Sequence, residues 1–80
     1  MIEVEARLYA TFGTRAATAV PGEPVRVTLP DGATVADLLA HFALRPDEVR
    51  ILLVNGRSQP LNHPLTRGDR VALFPPIGGG

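Results

Sequence analysis

Between Ile2 and Phe12 the chain alternates without a break. Ile2, Val4, Ala6, Leu8, Ala10 and Phe12 fall on one side of an extended strand, and Glu3, Glu5, Arg7, Tyr9 and Thr11 on the other. A repeat of two residues belongs to a strand with one face buried, not to a helix. Such a strand requires a sheet to pair with and a second layer to cover its apolar side. With 80 residues the chain forms one domain with a thin core, so the covering layer has to be small.

The rest of the sequence supplies both. Gly13 breaks the alternation, and residues 13–23, with Gly13, Pro21 and Gly22, read as a long connection with a short helical turn over Arg15–Ala19. Val25, Val27 and Leu29 alternate with Arg26 and Thr28, which predicts a second strand closed by the turn Pro30-Asp31-Gly32. Thr34 is a good N-cap with Asp37 three residues on, and Val35, Leu38, Leu39 and Phe42 then share one face of a helix of about nine or ten residues. Pro46-Asp47-Glu48 makes one further helical turn. Ile51–Val54 is too short an apolar run for a helix and is expected to be a buried strand. Asn55-Gly56 is a hairpin turn leading to a short strand over 57–59, and Arg67-Gly68-Asp69 turns into a closing strand over 71–74.

The first and last strands are the best candidates for the centre of the sheet. If they are neighbours they run parallel, because the helix between them provides the crossover. The expected fold is therefore α+β: a ubiquitin-like β-grasp, with a mixed sheet of about four or five strands and one main helix across one face.

The chain ends in Phe74-Pro75-Pro76-Ile77-Gly78-Gly79-Gly80. The expected division is a domain over 1–74 and an extended, flexible tail over 75–80. Prolines favour an extended conformation, and glycines, lacking Cβ, allow close approach to another surface. The steps from Phe74 to Gly80 could carry the terminal carboxylate roughly 20 Å out, a shape suited to entering a partner's active site. Phe74 and Ile77, flanking this tail with Pro75, Pro76 and Gly78, are candidate partner-binding residues.

Composition narrows the function. Eight acidic and eight basic residues balance, which removes the case for nucleic-acid binding or a basic membrane patch. Cysteine is absent, and every basic residue is an arginine, so no thiol or lysine amine in the chain could attack an activated carboxyl group at its end. His41 and His63 do not have metal-ligand spacing, Ser58 lies in no nucleophile motif, and no phosphate-binding loop is present, so neither a metal nor a bound cofactor is expected. With no apolar run of about 18 residues and a polar start, the chain is assigned to the cytoplasm by default.

The run Val54-Asn55-Gly56, then His63-Pro64-Leu65, Gly68-Asp69, Val71 and Phe74-Pro75-Pro76 through Gly79-Gly80 resembles the sulfur-carrier proteins of the MoaD/ThiS type. These include the small subunit of molybdopterin synthase and the thiamine-thiazole sulfur carrier. The Phe-Pro-Pro ending and the opening Leu8-Tyr9-Ala10 are closer to the molybdopterin branch, whereas the Ala-rich segment 13–22 departs from it. The resemblance implies a protein co-substrate, not an enzyme. A ubiquitin-activating-type adenylyltransferase, supplying ATP and magnesium, would adenylate Gly80, with Gly79 beside it. A cysteine desulfurase or rhodanese-type protein would provide sulfur for a Gly80 thiocarboxylate, to be delivered to an acceptor such as the large subunit of molybdopterin synthase, or else to thiazole synthesis. The alternatives are a ubiquitin-like modifier joined through its C-terminal glycine to target lysines, and a non-catalytic interaction domain.

Overall fold

A computed structural model of the chain describes residues 1–15 and 22–76. Strand β1 (Ile2–Leu8) pairs antiparallel with β2 (Pro24–Leu29), with Ile2 opposite Leu29 and Arg7 opposite Pro24. Pro24, which has no N–H to donate, stands at the first position of this edge strand, where the ladder loses least. Strand β3 (Ile51–Val54) turns through Asn55-Gly56 into β4 (Arg57–Ser58), and β5 (Arg70–Phe74) completes the sheet in the order β2-β1-β5-β3-β4. Asn55 and Gly56 both have positive φ, 53° and 81°, the left-handed pair that a tight hairpin turn requires. As expected, β1 and β5 lie side by side and parallel, with Ala6 opposite Val71 and Leu8 opposite Leu73. This is the β-grasp arrangement.

One face of the sheet is covered by α2 (Val35–His41), which buries Val35, Leu38 and Leu39 against Val4, Ala6, Leu8, Val27, Val71 and Leu73. The Asp37 carboxylate accepts the Thr34 N–H at 2.8 Å, holding the start of the helix. The next two N–H groups, of Val35 and Ala36, donate to the carbonyls of His63 and Leu61 at 3.0 and 2.9 Å. The helix end and the loop 60–65 thus satisfy each other's backbone groups. No helix among the described residues is long and apolar enough to cross a membrane.

Three expectations need correction, and a fourth falls mostly on residues that the structure does not describe. The first strand stops at Leu8, not Phe12: Ala10 takes a left-handed φ of 52°, the Phe12 N–H donates to the Tyr9 carbonyl at 3.0 Å, and a short helix α1 (Phe12–Arg15) follows. Phe12 still reaches the core, but from that helix. The helical turn expected over Arg15–Ala19 lies outside the described residues except for Arg15, the last described residue of α1. Helix α2 has 7 residues, because Ala43 adopts φ 56° and the Leu44 N–H closes back on the Leu39 carbonyl at 2.9 Å. Finally, β3 is not buried on both sides: Val54 is buried, but Ile51 is 43% exposed. Ile51 and Leu53 point to the face that α2 does not cover, opposite Phe74 and Ala72 of β5.

Candidate functional site

The site is built where β5 ends. On one side of this strand, the Leu73 carbonyl accepts the Tyr9 N–H at 3.1 Å; on the other, the Phe74 carbonyl accepts the Arg50 N–H at 2.8 Å. The backbone is therefore gripped from both neighbouring strands up to its last sheet residue. Pro75 and Pro76 follow and have no N–H to offer, so neither can donate to a neighbouring strand. Pro75 is half-buried and Pro76 exposed.

The ring of Phe74 lies on the uncovered face of the sheet, stacked on the ring of Tyr9 with centroids 4.4 Å apart and planes 4° from parallel. Beside it, Ile51, Leu53 and Ala72 continue an apolar strip. Farther along the same face the character changes. Glu5 stands opposite Arg26 on β2 and Arg70 on β5, and accepts from the Arg7 guanidinium at 3.4 Å. The open face is thus apolar near the chain exit and charged away from it. On the β3 side of the exit, Pro76 lines a shallow concavity with Asp47, Val49, Arg50 and Ile51. Asp47 there accepts from Nε and Nη2 of the Arg45 guanidinium, at 3.0 and 2.6 Å, and this hydrogen bonding pulls its carboxyl below the ordinary value.

The start of β5 is fixed by a second device. Asp69 is the one buried charged residue among those described. Its carboxylate accepts the Thr66 N–H at 2.8 Å, the Asn55 side-chain amide at 3.0 Å and the Thr66 hydroxyl at 3.1 Å. Asn55 in turn accepts the Arg70 N–H at 3.0 Å through its side chain and donates its own N–H to the Arg70 carbonyl at 2.7 Å. Burial pushes the Asp69 pKa up, but the Thr66 N–H, the Asn55 amide, the Thr66 hydroxyl and the nearby His63 together bring it below the ordinary value. Both ends of the strand that carries the tail are therefore anchored.

Of the candidate site residues, Phe74, Pro75 and Pro76 come together at this exit. Ile77, Gly78, Gly79 and Gly80 lie outside the described residues. Phe74 is not a free anchor, since one face of its ring is taken by Tyr9. His41 is exposed at the far end of α2, its ring edge-on to Phe42 at 5.0 Å, whereas His63 sits at the start of that helix. Ser58 is exposed on β4. No group of three or more His, Asp or Glu among the described residues could hold a metal ion. Sequence reasoning missed Tyr9, Ile51 and Leu53 as parts of the exit. Tyr9 joins the exit through the strand register: with Leu8 beside Leu73 in parallel strands, the next residue of each lands on the open face together.

A mixed sheet of this order, one covering helix and a central strand that runs out into Phe-Pro-Pro define a ubiquitin-like β-grasp protein. Within that class the ThiS family model matches residues 12–80, and the chain belongs to this family of sulfur carriers. It is 41% identical over 58 residues to the molybdopterin synthase sulfur carrier subunit of Escherichia coli, an alignment covering 62% of this chain and 72% of that protein. Among solved structures it resembles a putative molybdopterin converting factor subunit 1 from Pyrococcus furiosus, with 26% identity, TM-score 0.75 and coverage of 96% of this chain and 100% of the other. It also resembles small archaeal modifier protein 1 of Haloferax volcanii, with 27% identity, TM-score 0.77 and the same coverage.

Proposed function

We propose that this chain carries sulfur as a thiocarboxylate on Gly80. A partner adenylyltransferase binds the domain and takes the tail into its active site. The Gly80 carboxylate attacks the α-phosphorus of the partner's magnesium-bound ATP, and pyrophosphate leaves. A persulfide on a sulfur donor, a cysteine desulfurase or rhodanese-type protein, then attacks the acyl carbon and AMP departs. Cleavage of the resulting acyl disulfide by a second thiol leaves the Gly80 thiocarboxylate and a new disulfide on the partner side. Activation is required because an ionised terminal carboxylate, with a pKa of about 3.3–3.7, is a poor electrophile. The chain itself acts as co-substrate, and the cytoplasm, where ATP is available, is the compartment this chemistry needs.

The observation that carries this reading is the root of the tail: a central strand held on both sides up to Phe74, then Pro-Pro and the glycines, beside a half-buried apolar strip with Ile51 exposed. The strip of Ile51, Leu53, Ala72 and the free part of Phe74 serves as the docking surface, with Pro75, Pro76, Ile77 and Gly78 threading inward and Gly79 leaving room around the reacting carbonyl. The sulfur acceptor is a synthase of the molybdopterin type, by analogy with the Escherichia coli carrier subunit, and thiazole synthesis is the next candidate. The test is intact-mass spectrometry after incubation with activating enzyme, ATP and a sulfur source, in which the chain gains the mass difference of sulfur for oxygen.

A second reading is favoured by the likeness to the archaeal modifier: conjugation through Gly80 to lysines of other proteins, using the same adenylate. Recovery of Gly-Gly-linked lysine adducts from cells expressing the tagged chain tests it. The two roles share the first step and can coexist.

A further inference from the structure

Tyr9 is half-buried and on the face of the sheet that α2 leaves open, so its ring adds nothing to the core beneath the helix. Yet it is held from several directions. Its own N–H donates to the Leu73 carbonyl, its ring lies parallel to Phe74 at 4.4 Å, and the backbone of Gly22 is pressed against it. Gly22 is pinned there by two hydrogen bonds. Its N–H donates to the Leu8 carbonyl at 2.8 Å, and its carbonyl accepts from the Arg7 guanidinium at 3.4 Å. A Cβ on Gly22 would stand 2.7 Å from Tyr9 Cε1 and 3.1 Å from Cδ1, closer than side-chain carbons approach. Only glycine leaves the ring where it is.

These contacts place a wall on the β1 side of the exit. The concavity of Asp47, Val49, Arg50 and Ile51 borders it on the β3 side, with Pro76 in its lining. Phe74 is the last residue bonded into the sheet, and its ring lies stacked over Tyr9 at the β1 side of the strand end. Resting on the sulfur-carrier reading above, we infer that Tyr9 is a positioning residue. By stacking on Phe74, with Gly22 as its backstop, it sets the direction in which the tail leaves the domain, and so the fraction of encounters in which Gly80 meets the α-phosphorus in reactive geometry. A reacting atom displaced by about 1 Å can cost a hundredfold in rate, so direction at the root matters for an atom far along the arm.

The test is steady-state adenylation by the cognate activating enzyme, measured by pyrophosphate release, for wild type, Tyr9→Phe, Tyr9→Ala and Gly22→Ala. Thermal unfolding is followed in parallel, and the side-chain rotamer averaging of Phe74 is measured by NMR scalar couplings. Tyr9→Phe keeps the stack and is expected to stay within about twofold of wild type. Tyr9→Ala and Gly22→Ala are expected to lose about tenfold or more in kcat with KM little changed, and to show Phe74 averaging over several rotamers while remaining folded at the assay temperature. A loss confined to KM would make Tyr9 part of the docking surface only and overturn the inference, as would unchanged kcat in folded Tyr9→Ala. Phe74 fixed in a single rotamer in Tyr9→Ala would also overturn it, whatever the enzyme does. If wild type itself is never adenylated, the sulfur-carrier reading fails, and the NMR arm still decides whether Tyr9 orients the exit.

Discussion

The Asn55 side-chain amide donates to the Asp69 carboxylate at 3.0 Å, joining the end of β3 to the start of β5 across the turn side of the sheet. The pair sits at the opposite end of β5 from the tail, so it holds the strand without touching the reactive end.

This linkage gives stability a defined pH dependence. The folded-state pKa of Asp69 is depressed, so its contribution is fully present above the unfolded value of about 3.9 and is lost as pH falls through the lower folded value. At neutral pH, Asp69→Asn is expected to be about 1–3 kcal/mol less stable than wild type, since it breaks bonds to a buried, charged acceptor. The difference should shrink once pH drops below about 4. Urea midpoints measured across pH for both proteins check the sign.

Leu73 and Ile51 belong to adjacent strands but face opposite worlds. Leu73 is fully buried beneath α2, and Leu73→Ala is expected to cost about 2–5 kcal/mol, a large share of what so small a domain has. Ile51 lies on the open face, and Ile51→Ala should change stability by only about 0.5 kcal/mol. Its effect should appear instead as a rise of about fivefold or more in KM for the activating enzyme, with kcat retained. Equilibrium unfolding and adenylation kinetics on the two variants separate these roles.

Gly22 and Gly56 share a left-handed φ, 84° and 81°, but not an environment. Nothing lies within 4 Å of a Cβ built on Gly56, so Gly56→Ala carries only the backbone penalty of about 1–2 kcal/mol. Gly22→Ala adds a collision with Tyr9, and only this substitution should disturb the ring-current shifts of Phe74 and Pro75. Urea unfolding and proton NMR of both variants distinguish them.

Much of this was visible in the residues, for physical reasons that differ by element. The period-two runs of β1 and β2 and the i, i+3, i+4 pattern of Val35, Leu38 and Leu39 gave their buried faces directly. The parallel pairing of β1 with β5 followed from the crossover. The end of β1 was hidden because the left-handed position falls on Ala10, which carries no turn signal, and because Phe12 stays in apolar register while entering a helix. The run Ile51–Val54 suggests a buried strand because an apolar open face and a buried one look alike in sequence. The Tyr9–Phe74 stack joins residues that only the strand order brings together.

The most direct measurement is of the chain end itself. Wild type and a variant lacking only Gly80 are incubated with activating enzyme, ATP and a persulfide donor, and fragmented intact in a mass spectrometer. The expected result is sulfur in place of one oxygen on the Gly80 carboxyl of wild type, and almost none on the shortened chain, whose carboxylate has retreated by about 3.3–3.6 Å although it still ends in Gly-Gly. Equal thiocarboxylation of both chains would contradict the requirement for reach, and sulfur on neither would contradict the carrier function.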